Sequence, residues 1–376
     1  MNLLIKPASG LCNMRCSYCF YADEMEQREQ KTYGIMSVDT LEAVVKTALA
    51  YSEKDGFVGL TFQGGEPTLA GLPFYRALIR FLDTYNTHRL PVRLGLQTNG
   101  YLIDDEWAQF LAKHQFLVGL SIDGTRDVHD FHRRDASGKG TFQKALRAAE
   151  LFRKYNVTYN TGTVVTRRNA SAVTSIYQFF KKHGMTWQQY IPCLDPLDCY
   201  ENKYLTPAQY GQFLCRLFDL WYHDFMSGTY IYNRTFENYV AILMGLEPEE
   251  CGMCGHCTVQ FVLEADGSVF PCDFYVLDGY KLGNFVTDPL EELLDRAAAL
   301  QFVEDSYRTD EACRACKYFP LCRGGCRRHR EPFEHGISAR NRFCEAYRMF
   351  FDHAADRLVQ LSYIAKQRQQ ASRKGS

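Results

Sequence analysis

Cys12-Asn13-Met14-Arg15-Cys16-Ser17-Tyr18-Cys19 sets three thiols at C-x3-C-x2-C spacing directly behind a short apolar run, Leu3-Leu4-Ile5. An apolar run that stops at a ligand-bearing loop predicts a strand with a site at its end, the arrangement of an α/β fold whose functional loops lie at strand C-termini. Three thiolates on one tight loop can hold three irons of a 4Fe–4S cube, and no fourth cysteine lies nearby. The remaining iron then stays open and can bind a small molecule instead of merely storing an electron. A zinc site is the plain alternative, but it wants a fourth ligand at comparable spacing.

Outward from this loop, up to about residue 191, short apolar runs alternate with amphipathic stretches. Strands are predicted over Asn2–Lys6, Phe57–Phe62, Val92–Leu96, Phe116–Ile122, Val157–Val165 and Trp187–Ile191. Helices are predicted over Ser37–Ser52, Pro73–Tyr85, Asp104–His114, Phe142–Tyr155 and Ala170–His183. Ser37 suits an N-cap, with Asp39 in the first turn where negative charge is favourable. Such alternation implies parallel strands joined by right-handed crossovers. Six units imply an open, partial (β/α)6 TIM-like barrel. Four regions are expected: the barrel over 1–200, connecting helices over 201–250, a second cysteine-bearing domain over 251–345, and a last helix with a disordered tail over 346–376. In the connector, Thr206-Pro207-Ala208-Gln209 is a capping box. The helix it opens carries Phe213, Leu217, Leu220 and Trp221, a stripe predicted to pack the barrel onto the C-terminal half, with Cys215 in the core.

The 376 residues suffice for a large core, and 14% aromatic with 46% hydrophobic content suits a globular protein. A formal net charge of −1 excludes a global basic field for nucleic acid or a membrane surface. No apolar stretch reaches the ~18 residues of a spanning helix. A strand that begins almost at once leaves no room for a signal peptide. The 15 cysteines are therefore expected as metal or cluster ligands in the reducing cytoplasm of an anaerobic cell, not as disulfides. A monomer is expected.

Further motifs fall at the predicted strand ends. Phe62-Gln63-Gly64-Gly65-Glu66-Pro67 follows the second strand, where two glycines allow close backbone approach to a ligand and free carbonyls can accept from an ammonium. Gln97-Thr98-Asn99-Gly100 closes the third strand and Leu120-Ser121-Ile122-Asp123-Gly124 the fourth, with turn chemistry explaining much of both. Cys193-Leu194-Asp195-Pro196 follows the sixth. With the aromatic flanks Tyr18 and Phe20, the triplet and these turns resemble the radical SAM enzymes. The resemblance implies S-adenosylmethionine as cofactor, chelated by the open iron of the cluster on Cys12, Cys16 and Cys19. It sets Gly64, Gly65 and Glu66 at the methionine amino group, Ser121 and Arg133 at the carboxylate and ribose region, Leu194 at adenine, and Tyr18 beside the cluster. Arg134, adjacent in the chain, could take the arginine's role. Asp127, His129, Asp130, His132 and Asp135 offer no separate ligand set and are expected to form a solvated, charged loop. Cys193 and Cys199 are expected as small buried residues.

Nine more cysteines lie beyond residue 250: 251, 254, 257, 272, 313, 316, 322, 326 and 344. A hairpin is predicted between Thr258 and Pro271, turning at Ala265-Asp266-Gly267. Asp288-Pro289-Leu290-Glu291 opens a short helix. Eight thiolates complete two fully ligated cubes, which leaves one over. The pattern resembles a SPASM domain, the two-cluster extension of peptide-modifying radical SAM enzymes, and within that group the anaerobic sulfatase-maturating enzymes. Ile5-Lys6-Pro7-Ala8-Ser9, Tyr33-Gly34-Ile35-Met36, Phe62 to Leu72, Cys193 to Leu197 and Pro271-Cys272-Asp273-Phe274-Tyr275-Val276-Leu277-Asp278 carry this likeness over nearly the whole chain. It implies three 4Fe–4S clusters in all. Cys251, Cys257, Cys272 and Cys326 would hold an inner auxiliary cluster, and Cys313, Cys316, Cys322 and Cys344 an outer one. Cys254 has no place in that scheme, which leaves open whether it or Cys251 ligates the inner cluster.

By the same likeness, the chain oxidises a cysteine or serine in a Cys/Ser-x-Pro-x-Arg segment of an unfolded sulfatase to Cα-formylglycine, with a flavodoxin or ferredoxin-type reductant. A 5′-deoxyadenosyl radical takes a hydrogen from Cβ, a base takes the thiol or hydroxyl proton, and the inner cluster takes an electron. Asp273, next to Cys272, matches the family's catalytic aspartate. A solvated aspartate of pKa about 3.9 is a poor base, so burial beside the substrate is expected to raise its basicity. Asp278 is the alternative. The substrate, a chain segment, calls for a long groove that binds extended backbone. A SPASM enzyme that cross-links or epimerises a ribosomal peptide shares every cluster, and as an epimerase it would use Cys193 or Cys254 as hydrogen donor. An electron carrier or zinc-binding module would need neither the open-iron triplet nor the Gly-Gly-Glu-Pro turn.

Overall fold

The computed structural model describes residues 1–374 apart from Asp55, Asp198, Tyr200, His335 and Gly336. Six strands, β1 (Asn2–Ile5), β2 (Val58–Phe62), β3 (Val92–Thr98), β4 (Leu117–Ser121), β5 (Tyr159–Val165) and β6 (Trp187–Pro192), lie side by side in chain order, each parallel to the next. Between them run α1 (Phe20–Glu26), α2 (Val38–Ser52), α3 (Gly71–Tyr85), α4 (Asp105–Lys113), α5 (Arg126–His132), α6 (Phe142–Lys154), α7 (Arg167–Ser171) and α8 (Val173–Lys182). Ser37 caps α2 by accepting the Thr40 N–H. The strands read as apolar runs because helices cover them: Val58, Leu60 and Phe62 of β2 are all fully buried. α1, α5 and α7 are absent from the sequence-based prediction. At seven, seven and five residues they are too short to show a helical period.

The sheet continues past both ends of this series. β7 (Tyr232–Asn233) extends it beyond β6. On the other edge the chain returns: β8 (Val262–Leu263) pairs parallel with β1, setting Leu4 opposite Val262 and Ile5 opposite Leu263. The predicted hairpin then adds β9 (Ser268–Phe270), and β10 (Gly283–Asn284), which lies beyond the predicted hairpin, pairs with β9, both antiparallel. Gly267 takes φ +87° in its turn, a conformation that favours glycine. Among the described residues a single ten-stranded sheet thus runs from the barrel into the cysteine-rich region.

Thr206 and Gln209 form the predicted capping box of α9 (Pro207–Met226). Its buried face, with Phe213, Phe218 and Trp221, packs on the C-terminal helix Cys344–Lys374 and on α10 (Arg234–Leu243). Phe350 sits at the centre, its ring 5.7 Å from Phe218 and 5.6 Å from Phe236. Cys215 lies half-buried at this seam. The tail expected to be disordered from Lys366 instead prolongs the helix to Lys374. Gln, Arg, Lys and Ala are good helix formers, and a helix already nucleated by its packed half extends at little cost. Gly375 and Ser376 lie outside the described residues.

Phe350→Ala should cost about 3–5 kcal/mol, the range for emptying a large aromatic site in a core. Val359→Ala, on an exposed position of the same helix, should stay within about 0.5 kcal/mol. Denaturant midpoints measured without oxygen check both.

Candidate active site

The triplet occupies the loop between β1 and α1, and its three thiols are unpaired. The Met14 N–H donates to Cys12 Sγ at 3.4 Å. Burial pushes the Cys12 thiol up to about 12 and the Cys16 thiol to about 11. Arg133 opposes the rise at Cys16, and companion thiols add to both. Such thiols do not ionise alone near neutral pH, whereas metal coordination deprotonates them outright.

Two glycines let the neighbouring turn close on this loop. A Cβ on Gly65 would stand 2.2 Å from the Leu11 carbonyl oxygen, and one on Gly64 would stand 2.6 Å from Lys6 Cγ. Glu66 is buried with its carboxylate turned into the protein. It accepts from the Thr68 and Thr98 hydroxyls at 2.6 and 2.7 Å and from the Asn99 N–H at 2.7 Å. Burial raises its pKa against those bonds. Any cofactor contact from this turn therefore falls to the backbone, not to the Glu66 side chain. Asn99 in turn reaches the cluster loop through the Asn13 side chain at 2.8 Å.

At the end of β4, the Asp123 carboxylate accepts from the Tyr18 hydroxyl, from Arg133 Nε at 3.0 Å and from the Val164 N–H at 3.1 Å. Tyr18 and Arg133 are thereby held beside Cys16. Ser121 accepts from Gln97 at 3.0 Å. Arg134 is exposed and bonds the Gly138 carbonyl at 3.2 Å, so the buried arginine is Arg133. Leu194 is buried behind Cys193.

The solvated loop expected at 127–135 is instead α5, which turns two histidines inward because positions three apart share a helix face. Burial pulls His129 down to about 3. It accepts the Asp123 N–H at 3.3 Å and faces the Thr141 hydroxyl at 3.1 Å. His132 bridges the Ser17 hydroxyl at 2.7 Å and the Thr166 hydroxyl at 3.2 Å. Asp127 and Asp135 remain at the surface.

Asp273 is buried between the residues that follow β1 and β2. Lys6 Nζ donates to its Oδ1 at 2.5 Å and Gln63 Nε2 to its Oδ2 at 2.5 Å. Lys6 is itself fully buried, with its ammonium 3.8 Å over the Tyr21 ring. Burial, with the Asp273 charge adding, pushes the neighbouring Glu24 carboxyl well above the usual range. Asp278 is exposed and accepts the Glu29 N–H at 2.8 Å, apart from this cluster. Sequence reasoning assigns no role to Lys6, Gln63, Asp123 or Glu24. A lysine ending an apolar strand is the one available signal.

Beyond residue 250 the cysteines gather in two groups. Burial pushes Cys272 well up, with Cys326 and Cys257 adding, and Cys326 up to about 12, with Cys251 and Cys257 adding. Backbone N–H groups of Phe274, Arg328 and Arg327 donate to Cys272, Cys326 and Cys257. Cys254 turns its thiol toward the carbonyls of Pro248 and Glu250, at 3.9 and 3.8 Å. Cys313, Cys316, Cys322 and Cys344 together line a cavity of about 450 Å³. Among the described residues no three His, Cys, Asp or Glu side chains close on one ion. A cube does not require that, since each of its irons takes one thiolate. Unpaired thiols grouped in fours and met by amide donors fit such clusters.

Residues 7–180 match the model of the radical SAM superfamily, and residues 245–317 that of an iron–sulfur cluster-binding domain. A cysteine-type anaerobic sulfatase-maturating enzyme of Clostridium perfringens is 45% identical, the match covering 96% of this chain and 98% of that one. The chain belongs to the anaerobic sulfatase-maturating enzymes. A serine-type member from Bacteroides thetaiotaomicron is 29% identical over 94% of this chain and 89% of its own. The solved anSMEcpe with bound AdoMet and Cp18Cys peptide superposes with a TM-score of 0.90 at 44% identity, covering 97% of this chain and 99% of that one. Enzymes of this family are radical SAM oxidoreductases that use S-adenosylmethionine and 4Fe–4S clusters to turn a sulfatase side chain into formylglycine. No helix among the described residues is long and apolar enough to cross a membrane.

Reconstituted protein should carry about twelve irons, three cubes on eleven cysteines. Because Cys254 points at carbonyls, Cys254→Ala should keep iron content and turnover near wild type, whereas Cys251→Ala should lose about four irons. Iron and sulfide analysis of the two variants checks this, and the reverse pattern would exchange their roles.

Proposed function

We propose that this enzyme is cysteine-directed. It oxidises the cysteine of a Cys-x-Pro-x-Arg segment in an unfolded sulfatase, in the cytoplasm, as a monomer served by a flavodoxin or ferredoxin-type reductant. The identity of 45% to a cysteine-type relative against 29% to a serine-type one supports the choice of target. The observation that carries the catalytic part is the buried Asp273 carboxylate, held between Lys6 and Gln63 one residue from Cys272.

In this reading Cys12, Cys16 and Cys19 hold the cluster that binds S-adenosylmethionine. That pair, when loaded and reduced, supplies the 5′-deoxyadenosyl radical that takes a hydrogen atom from the substrate Cβ. The Gly64–Gly65 backbone, Ser121, Arg133 and Leu194 orient the cofactor, and Tyr18 braces the cluster loop. Asp273 then takes the thiol proton. An ion pair with Lys6 is made by the carboxylate form, which is the form that accepts a proton. Each carboxylate oxygen keeps a lone pair beyond its bond to Lys6 or Gln63. Cys251, Cys257, Cys272 and Cys326 would hold a cluster able to accept the remaining electron. Hydrogen atom, proton and electron sum to a two-electron oxidation of the Cβ–S unit to a thioaldehyde, which water converts to formylglycine with release of sulfide.

Asp273→Asn keeps the shape and the Gln63 contact region but cannot accept a proton, and loss of a general base typically costs about 10²–10⁴-fold. The variant should bind three clusters and still make 5′-deoxyadenosine, while formylglycine yield from a cysteine peptide falls at least a hundredfold. Deuterium from a Cβ-labelled peptide should still reach the deoxyadenosine. Mass spectrometry reads both products, and wild-type formylglycine yield would remove Asp273 from the mechanism.

A further inference from the structure

We propose that the buried guanidinium of Arg330, assisted by Arg327, is the counter-charge that sets the inner auxiliary cluster as the electron acceptor. The proposal rests on Cys251, Cys257, Cys272 and Cys326 holding that cluster.

Arg330 is 2% exposed, among the largest fully buried side chains of the protein. Its Nη2 donates to the Ser306 carbonyl at 2.9 Å and its Nη1 to the Arg308 carbonyl at 3.5 Å, while Nε has no partner among the described residues. Among those residues it makes no ion pair with a carboxylate. Glu331, next in the chain, is already bound by Arg328 at 3.2 Å and by the Tyr275 hydroxyl at 2.5 Å. Ser306, whose carbonyl takes Nη2, also accepts the Cys257 N–H on its hydroxyl at 2.8 Å, which sets the guanidinium beside that ligand. Arg327, next in the chain to Cys326, is 5% exposed and donates to the Phe302 carbonyl at 3.1 Å.

A buried cation without a nearby anion is costly, so such a charge is expected to answer another one. A 4Fe–4S centre with four thiolates carries a net charge of 2− oxidised and 3− reduced, so a fixed cation favours the reduced form more and raises the potential. At the outer group the arginines among the described residues, Arg340 and Arg348, are exposed. Arg340, beside Cys313 and Cys344, is 52% exposed at its side chain and shared with Asp310 at 4.0 Å, so water and the carboxylate screen it. The substrate radical gives up one electron and the inner cluster gains it, with the proton going separately to Asp273.

The test uses the reconstituted full chain in a redox titration followed by electron paramagnetic resonance. The inner signal is identified as the one lost in Cys326→Ala. At the potential that reduces half of it in the wild type, Arg330→Gln should lower the reduced-to-oxidised ratio at least tenfold, equal to 59 mV for one electron. Signals of the other two clusters should not move. Arg330→Lys, which keeps the charge, should titrate near wild type. An unmoved inner signal in Arg330→Gln with full iron overturns the proposal, as does a lysine variant that behaves like glutamine. Loss of the inner irons in both variants assigns Arg330 to folding and also overturns it. If no signal disappears in Cys326→Ala, the ligand assignment itself fails.

Discussion

Lys6 leaves the end of β1 with its ammonium buried, and the carboxylate of Asp273 meets it at 2.5 Å from 267 residues further along the chain. A buried charge deprived of its partner typically costs about 3–5 kcal/mol, so this contact constrains much of its surroundings. The same lysine donates its backbone N–H to the Leu263 carbonyl at 2.8 Å, continuing the β1–β8 ladder. Register and ion pair therefore fix one another, because a slip of one residue would turn Lys6 to the opposite face of the sheet. Gly64 clears the space for its stem, and Tyr21 lies under its ammonium. Asp273, the cluster loop and the Gly-Gly turn form one packed unit.

The charges near this unit balance in pairs. Lys6 answers Asp273, and Arg28 answers Glu264 at 2.7 Å, with the Tyr21 hydroxyl on the same oxygen. Burial pushes the Glu24 carboxyl up, with the Asp273 charge adding. On the other side of the barrel mouth, Asp123, His129 and His132 tie the cluster loop to β4 and β5 through polar contacts that are mostly buried. Chemistry with a radical requires positions held within fractions of an ångström, and such supporting bonds provide that stiffness.

The cysteine-rich region is built differently. Its helices over Glu304–Tyr307, Glu311–Arg314 and Phe319–Cys322 are four residues each, too short to be stable alone. Burial raises the thiols of Cys272, Cys322 and Cys326 there. Cluster binding in such a segment contributes folding free energy directly, so the iron is a structural ligand as well as a redox centre.

The fold class was legible in the sequence because strand and helix periodicities are local, and the six-unit alternation admits few topologies. The cysteines stand out because thiolate chemistry and spacing are written residue by residue, whereas Asp273 was singled out by its match to a family pattern. The rest was decided by contacts that act over long range. Glu66 sits in a motif but faces inward, which depends on Thr98 and Asn99 arriving from β3. His129 and His132 read as loop polar groups until α5 forms and turns them in. Lys6 reads as a polar strand end, and only the return of β8 to the edge beside β1 supplies its partner. Arg330 reads as one arginine in a basic stretch, and its lack of a carboxylate among the described residues shows only once the segment is buried. Ligand identity is carried by each side chain's own chemistry, whereas a side chain's partner and burial are set by which distant segments the sheet brings beside it.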